Sequence, residues 1–358
     1  MSRYRVGKQQ ADSGVAEKRI EDRDERLPAS GGKGARAPLT AAEEIARALA
    51  HAAYDARTVR LVPHDLTGMT HLVATRGGLF AVNAAGHIRI AHGSFFGLTL
   101  YGHSIFAFEA CDLAGLPTRR GRIIRLDRAG GQIAEARVVV DGLDNGCHQI
   151  DFIDGRLTVL DTQHQRVLRF DAGEAGYETL SPLPPMGKRA WSRGYVHANS
   201  LLQVEDRILL LFHNGFAYTG KASEVAIFDL DWRELERWPL PGQNCHNLAV
   251  LEDGSLLSCG SAAGEIIGVD GPLAKISTMM TRGLSVDTGS IAVGASKFSA
   301  RADRHAVPGT VTFLDRDWAI GSVVDMPAAP TDIRRLDGED LGLSSFAAGR
   351  VPFPRGPA

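Results

Sequence analysis

Three histidines recur at a constant interval in this chain of 358 residues. His148, His197 and His246 are separated by 49 and 49 residues, and each stands at the start of a similar phrase: CHQIDFIDGRLTVLD, VHANSLLQVEDRILLLFHN and CHNLAVLEDGSLLSCGS. Neutral imidazoles bind Zn²⁺ and Fe²⁺, and three of them leave coordination positions open for water or substrate. The spacing therefore predicts a divalent metal site, Zn or Fe, if repeated units bring the three side chains together.

A structural interpretation of the same histidines also stands. A histidine in a β repeat is often a hydrogen-bonded structural residue, and a repeat can favour it without any metal. Cys147 and Cys245 precede two of the histidines and offer thiol ligands, but a small buried residue on the opposite face of the strand explains them as well.

Repeated β-hairpins are the elements that must position the histidines. From about residue 59 the chain alternates apolar and polar residues in short runs, as in RGGLFAV, DGRLTVL and DGSLLSC, and six such hairpins occur. Five following strands end in Asp, as in RIIRLD and RVLRFD, at roughly 40 to 50 residues per unit. The pattern predicts a six-bladed β-propeller in which the histidines begin innermost strands.

The predicted boundaries follow from composition. Residues 1–38 are polar and are expected to form a disordered tail, and residues 39–57 a short helix with a capping box at Thr40 and Glu43. The propeller is expected over 58–345, followed by a tail at 346–358. The segment APTDIRRLD, from Ala329, predicts a closing strand that joins the first blade and removes an open edge.

Strand direction adds further candidates on the face of the propeller that carries the histidines. The loop after each returning strand ends on that face, which places His164 and His213 there as a fourth ligand or a general base. Arg193, Arg282 and Arg301 suit a carboxylate or phosphate of the substrate. Further polar residues predicted on this face are Asn145, Asp161, Thr162, Gln163, Asn214, Asn244, Ser258, Ser261, Ser296, Lys297, Asp303 and Arg304. In the three blades without the histidine, the matching positions are assigned to Thr70 or His71, Phe96 and about Gly283.

Composition limits the choice of partners. A net charge of −2 gives no general case for binding nucleic acid or a membrane surface, and no run of 18 apolar residues predicts a membrane span. The N-terminus has no apolar signal region, so we expect a cytoplasmic protein. A small-molecule substrate is the favoured ligand and a protein partner the alternative. No GxSxG or HExxH motif occurs.

The histidine-led hairpins resemble six-bladed propellers of the NHL, gluconolactonase and peptidyl-hydroxyglycine amidating lyase type. They are still more similar to uncharacterised bacterial propellers with the same histidine-led blades. The resemblance covers about residues 59–345. The amidating lyases hold a metal with three channel histidines, so the resemblance implies a metal on His148, His197 and His246. The disulfides and other catalytic residues of those lyases have no counterpart here.

Two functions therefore remain open. The first is a metal-dependent lyase or hydrolase, or an oxygenase if the metal is iron, acting on a small anionic substrate at the channel mouth. The second is a non-catalytic propeller that binds a small ligand or a protein partner.

Overall fold

The structure is a computed structural model that describes residues 38–113, 116, 118–171, 176–184, 194–214, 221–299, 307–347 and 349–357. These residues form six antiparallel sheets whose innermost strands contact one another in succession around a central channel. The chain is therefore a six-bladed β-propeller, as predicted. The tail predicted at residues 1–38 lies outside the described part except for its last residue.

Five blades are each formed by four consecutive strands, with the first strand at the channel. Blade 2 contains β5 (Phe95–Tyr101), β6 (Ser104–Ala110), β7 (Gly121–Ala129) and β8 (Gln132–Leu143). Blade 3 contains β9 (Ile150–Ile153), β10 (Arg156–Asp161), β11 (Arg166–Phe170) and β12 (Glu178–Leu180). Blade 4 contains β13 (Ala198–Val204), β14 (Arg207–Phe212), β15 (Glu224–Asp229) and β16 (Glu234–Pro239). Blade 5 contains β17 (His246–Val250), β18 (Leu256–Gly260), β19 (Glu265–Ile267) and β20 (Pro272–Lys275). Blade 6 contains β21 (Met280–Val286), β22 (Ser290–Ser296), β23 (Gly309–Asp315) and β24 (Ile320–Met326).

Blade 1 is assembled from both ends of the propeller sequence. Its strands are β1 (Arg60–Leu61), β2 (His71–Thr75), β3 (Gly78–Asn83), β4 (Gly86–His92) and β25 (Pro330–Arg335), in the order β1-β4-β3-β2-β25. β25 pairs antiparallel with β2, with Val73 opposite Ile333. The predicted closing strand is confirmed.

The closing strand also corrects one assignment made from the sequence. Because β25 lies at the channel, β2 is the second strand of blade 1, and His71 within it is buried away from the mouth. Thr331 of β25, and not Thr70 or His71, occupies the blade 1 position that lines the channel with the histidines.

Apolar side chains pack between neighbouring blades and form the core. Leu209 and Leu211 of blade 4, for example, share one buried cluster with Leu248 of blade 5 and Val293 of blade 6. A blade between two neighbours buries both of its faces, so second strands such as β14 (RILLLF) read as nearly continuous apolar runs rather than as alternating ones. Full burial of each such side chain contributes about 1.5–3 kcal/mol.

Polar side chains form hydrogen bonds between the innermost strands of neighbouring blades. An inner strand leaves edge N–H groups that its own sheet does not pair, and a side chain from another inner strand accepts a hydrogen bond from several of them. The bonds are Leu201 N to Gln149 Oε1 (2.8 Å), Asn247 N to Ser200 Oγ (2.8 Å), Gly283 N to Asn247 Oδ1 (2.8 Å) and Leu98 N to Asp332 Oδ2 (2.9 Å). Gly97 stands where a Cβ would lie 2.7 Å from the carbonyl oxygen of His148, so only glycine permits this approach of blades 2 and 3.

The segment after β25 closes the end of the channel opposite the histidines. The Ser344 amide and hydroxyl donate to the buried Asp151 of blade 3 at 2.9 and 2.6 Å, and helix α2 (Ser344–Ala347) follows. Asp340 accepts from Ser285 of blade 6 at 2.5 Å. Arg334 is fully buried beside these carboxylates and pairs with Asp332 at 3.3 Å. These groups are buried, so the described residues close this end of the channel to water.

The N-terminal helix α1 (Ala41–Asp55) has the predicted capping box, with the Glu43 amide donating to Thr40 Oγ1 at 3.2 Å. It packs on blade 2 through Arg122, whose guanidinium donates to the Ala53 carbonyl (3.0 Å) and pairs with Glu109 (2.8 Å). No helix in the described part of the chain is both long enough and apolar enough to span a membrane.

Arg334→Gln should destabilise the protein strongly. The substitution leaves three buried carboxylates, those of Asp151, Asp332 and Asp340, without their shared cation, which costs about 3–5 kcal/mol. Chemical denaturation measures the loss. Arg233→Gln is the control, since the Arg233 side chain is 77% exposed and should change stability by less than about 0.5 kcal/mol. Equal stabilities of the two variants would contradict the role given to Arg334.

The Asp332 carboxyl should make stability depend on pH. Burial raises its pKa to about 6, well above its value in an unfolded chain. The folded protein then binds this proton more tightly, so the contribution is full below about pH 4 and is lost as the pH rises through about 6. Unfolding free energies measured between these values should fall more steeply for the wild type than for Asp332→Asn. The exposed Asp325→Asn variant should keep the wild-type slope, and a common slope for all three proteins refutes the assignment.

Candidate functional site at the channel mouth

Four imidazoles form a row across blades 3, 4 and 5 at the end of the channel where the inner strands begin. His148 lies two residues before β9, His197 lies directly before β13, His246 begins β17, and His213 follows β14. The ring centroids are 5.1 Å apart for His148 and His197, 4.7 Å for His197 and His213, and 5.4 Å for His213 and His246. His213 therefore lies between two of the repeat histidines.

Backbone carbonyls orient two of the rings in the same way. Nδ1 of His148 donates to the Gly146 carbonyl at 2.8 Å, and Nδ1 of His246 donates to the Asn244 carbonyl at 2.7 Å. A carbonyl only accepts, so in both rings Nδ1 carries a proton. A neutral ring in this tautomer has its lone pair on Nε2, and the two residues present that atom from equivalent positions of blades 3 and 5, on either side of blade 4.

Irregular backbone aims these side chains at the mouth. His197 has φ of 49°, in the left-handed region that non-glycine residues adopt at a cost of about 1–3 kcal/mol. The pairing of β13 with β14 shifts register between Ala198 and Ser200, and that of β17 with β18 shifts between His246 and Leu248. β-Bulges at strand ends redirect side chains and are frequent beside functional sites.

Burial and neighbouring charge keep His246 neutral. Desolvation lowers the pKa of His246 well below its usual range, and the nearby Arg282 guanidinium lowers this pKa further. Nη2 of Arg282 donates to Nε2 of His246 at 2.9 Å. Protonated His246 would lose this bond and face a cation, so the neutral ring is the stable form.

The channel cavity lies beneath the row. Residues from all six blades line it: Phe96, Gly97, His148, Gln149, Asn199, Ser200, His246, Asn247, Arg282, Thr331 and Asp332. About 20 Å³ is open to the centre of a water molecule, which is room for one or two waters. Reactants larger than this must bind at the mouth, above the inner strands.

Phe96, which the sequence assigned to the histidine position of blade 2, extends the mouth together with Arg76 and Tyr195, which sequence reasoning missed. The Phe96 ring lies 5.7 Å from the His148 ring, and the Arg76 guanidinium stacks on Phe96 at 4.6 Å. The hydroxyl of Tyr195 is 3.2 Å from Nδ1 of His197. Phe96 had a sequence signal, since it occupies the histidine position of blade 2. Arg76 lies in an ordinary hairpin turn, and Tyr195 had no signal.

The four rings follow one another as a row and do not enclose a common point. Among the described residues, one group of at least three metal-type side chains has its ligand atoms all within 4.8 Å of one another, and that group is Asp144, Asp161 and His164. Ligation of one ion by His148, His197 and His246 would require side-chain movement.

His164 belongs to this separate cluster on the rim of blade 3. Its Nδ1 is 2.9 Å from the buried Asp161 carboxylate, which raises the pKa of His164, and Arg166 pairs with the same carboxylate at 2.6 Å. The half-exposed His164 is therefore held in place by its hydrogen bond to the Asp161 carboxylate. Gly146 connects the cluster to the row, because its amide donates to Asp144 at 2.7 Å and its carbonyl accepts from His148.

Several candidates fall outside the described residues. Arg193, Arg301, Asp303 and Arg304 are among them, and their positions stay predictions. Arg282 lies in the channel mouth, and Lys297 lies on its blade 6 side.

Comparison with known proteins adds little to this geometry. No protein-family model matches the chain, and no curated protein matches it. Solved structures with a similar fold include a chain of a nidogen/laminin complex (10% identity, 77% of this chain and 99% of that chain, TM-score 0.48). Others are a putative gluconolactonase (14%, 77% and 89%, 0.46) and virginiamycin B lyase from Staphylococcus aureus (13%, 70% and 78%, 0.41). Likeness at this level concerns the fold, and the function must be argued from the site.

The two environments predict opposite titrations for His164 and His246. As the pH falls, His164 should become protonated at a pH above the usual pKa of histidine. His246 should stay neutral down to a pH far below that value. Nitrogen chemical shifts of the imidazoles, recorded by NMR between pH 5 and 8, distinguish the forms. His164→Gln and His246→Gln assign the signals. A His246 ring that titrates at or above the ordinary value contradicts the proposed electrostatics.

Proposed function

We propose that the protein is a metal-dependent enzyme of the lyase or hydrolase kind. Its active site is the row of His148, His197, His213 and His246 at the open mouth, and its substrate is a small anionic molecule. The observation that carries the proposal is the succession of four imidazoles at 4.7–5.4 Å across three adjacent blades.

Three features of the row support a divalent ion. Imidazoles that share one tetrahedral Zn²⁺ have ring centres about 5 Å apart. Successive rings of the row have this spacing, and side-chain movement would bring a third ring to the same ion. Donation from Nδ1 to a carbonyl, seen for His148 and His246, is the arrangement that fixes the tautomer of ligating histidines. The lowered pKa of His246 keeps its lone pair available at neutral pH.

The chain's own residues have separate tasks in this proposal. A bound Zn²⁺ or Fe²⁺ would supply Lewis acidity, and Fe²⁺ also oxygen chemistry. Arg282 holds the anionic part of the substrate beside the row. Tyr195 and the fourth imidazole, whichever is not a ligand, are placed to move a proton. His164, fixed by Asp161, holds a proton at the rim.

A second candidate is a metal-free site that binds an anionic ligand without catalysis. The bond from Arg282 to Nε2 of His246 favours it, because that bond occupies the atom a metal would use. Under this alternative the rings act as hydrogen-bonding groups and Arg282 supplies the charge.

Metal content distinguishes the two candidates. Protein produced with added zinc or iron and dialysed should retain about one ion per chain. His197→Ala and His213→Ala, each of which removes a ring from the middle of the row, should lose most of it. Elemental analysis by mass spectrometry gives the stoichiometry.

His103→Ala is the matched control, since His103 is exposed on the β5–β6 turn of blade 2 and should leave the metal content unchanged. A wild-type protein that retains no stoichiometric ion, even after reconstitution with Zn²⁺ and Fe²⁺, excludes the enzyme proposed here and leaves the metal-free site.

A further inference from the structure

A second group of ligand-type side chains lies at the rim of blade 3. Asp144 lies in the loop that enters the blade, Asp161 ends β10, and His164 lies in the turn after β10. One ligand atom from each of these side chains lies within 4.8 Å of the other two. We call this group the rim cluster. Its two carboxylates are buried, whereas most Asp side chains stay in solvent unless a partner compensates their charge.

One oxygen of the Asp144 carboxylate has no hydrogen-bond donor among the residues that the structure describes. The Asp144 side chain is 6% exposed, and its Oδ1 accepts from the Gly146 amide at 2.7 Å. Its Oδ2 lies 4.0 Å from Nδ1 of His164, which is beyond the reach of a hydrogen bond. Burial raises the pKa of Asp144, and the charge of the neighbouring Asp161 raises this pKa further. A buried carboxylate with a single amide donor points to a cationic ligand at its other oxygen.

The distances within the rim cluster fit the ligand shell of one metal ion. Nδ1 of His164 is 2.9 Å from Oδ1 of Asp161 and 4.0 Å from Oδ2 of Asp144. Around an octahedral ion with bonds of about 2.1 Å, adjacent ligand atoms are about 3 Å apart and opposite ones about 4 Å apart. A divalent ion in place of the proton between His164 and Asp161 would therefore contact all three side chains with little movement.

Gln163 brings a further oxygen to the rim cluster. A Cβ on Gly146 would lie 3.0 Å from Oδ1 of Asp144 and 3.0 Å from Oε1 of Gln163, so both oxygens approach the same bare Cα. Arg166 pairs with Oδ2 of Asp161 at 2.6 Å and holds that carboxylate with Oδ1 toward His164. The donor set thus consists of carboxylate oxygens, an amide oxygen and an imidazole nitrogen, which are all ligand types of divalent ions.

We propose that the rim cluster binds one divalent metal ion, with Asp144, Asp161 and His164 as its protein ligands and water in the remaining positions. Oxygen ligands suit Mn²⁺, whereas imidazole suits Zn²⁺ and Fe²⁺. The mixed rim cluster therefore accepts Mn²⁺, while the all-imidazole row favours Zn²⁺ or Fe²⁺. The rim site is separate from the histidine row and does not rest on the function proposed above.

An ion at the rim would also help to orient one end of the histidine row. The Gly146 amide donates to Asp144, and the Gly146 carbonyl accepts from Nδ1 of His148 at 2.8 Å. The ion would join the loop before β9 to the turn after β10, and this loop holds the His148 ring. The role of the rim ion is therefore to fix the geometry of the mouth.

Titration of chelator-dialysed protein with Mn²⁺, followed by electron paramagnetic resonance of the free ion, tests the proposal. The wild type should bind Mn²⁺ at the rim, and the bound ion should broaden the NMR signals of the His164 ring more than those of His246. Asp144→Asn keeps an oxygen that accepts from Gly146 but removes the charge, so it should fold and bind Mn²⁺ about tenfold or more weakly. His164→Gln, at a half-exposed position, should have an effect of the same size.

Two further variants complete the test. Asp154→Asn is the matched control, because Asp154 is exposed on the β9–β10 turn at the other end of blade 3 and should leave Mn²⁺ binding unchanged. His197→Ala should lose the ion of the row and keep Mn²⁺ at the rim.

A wild type that binds no Mn²⁺ at millimolar concentration overturns the rim site, and so do Asp144→Asn and His164→Gln proteins that bind it as the wild type does. Mn²⁺ bound at the rim of a protein whose row takes up neither Zn²⁺ nor Fe²⁺ supports the rim site and removes only the enzyme proposed above.

Discussion

The hydrogen bonds that close the inner edges of the blades are the constraint on which the rest of this structure depends. Six inner strands meet around the channel. The N–H groups on their channel-side edges lie too far inside the protein to form hydrogen bonds with bulk water. Side chains of Gln149, Ser200, Asn247 and Asp332 accept several of these N–H groups from other inner strands. A polar channel wall is therefore a requirement of ring closure, and it exists whether or not the protein binds anything.

The residues that meet this requirement are distinct from the residues that could do chemistry. One residue before Gln149, Asn247 and Asp332 along their strands stand His148, His246 and Thr331, at the open end. Gln149, Asn247 and Asp332 hold the blades together, while His148, His246 and Thr331 line the channel cavity. At the opposite end, the segment after β25 buries Arg334 among carboxylates and closes the channel. The imidazoles lie at the other end of the channel.

The sequence predicted the parts of this arrangement that local pattern determines. Hairpin phrases and the interval between histidines predicted the number of blades, and strand direction predicted that His213 shares a face with His197. Pairing of β25 with β2 joins distant parts of the chain. The sequence predicted APTDIRRLD as a closing strand, but it did not predict that this strand lies between β2 and the channel. His71 was therefore assigned wrongly to the channel. Arg76 was missed because a turn residue of blade 1 reaches Phe96 of blade 2 only when the ring is assembled. Side-chain contacts of this kind depend on the whole ring.

Arg282 couples the two functions considered for the mouth. Its guanidinium donates to Nε2 of His246, which is the atom that a metal ion would use. A metal ion on that atom would require the guanidinium to turn away from the ring, where it can bind the anionic group of a substrate. An anionic ligand that attracted the guanidinium would in turn release the lone pair of the ring. Linkage requires that each of these two ligands strengthen the binding of the other by the same factor. A mouth that holds both would therefore bind metal and anionic ligand cooperatively.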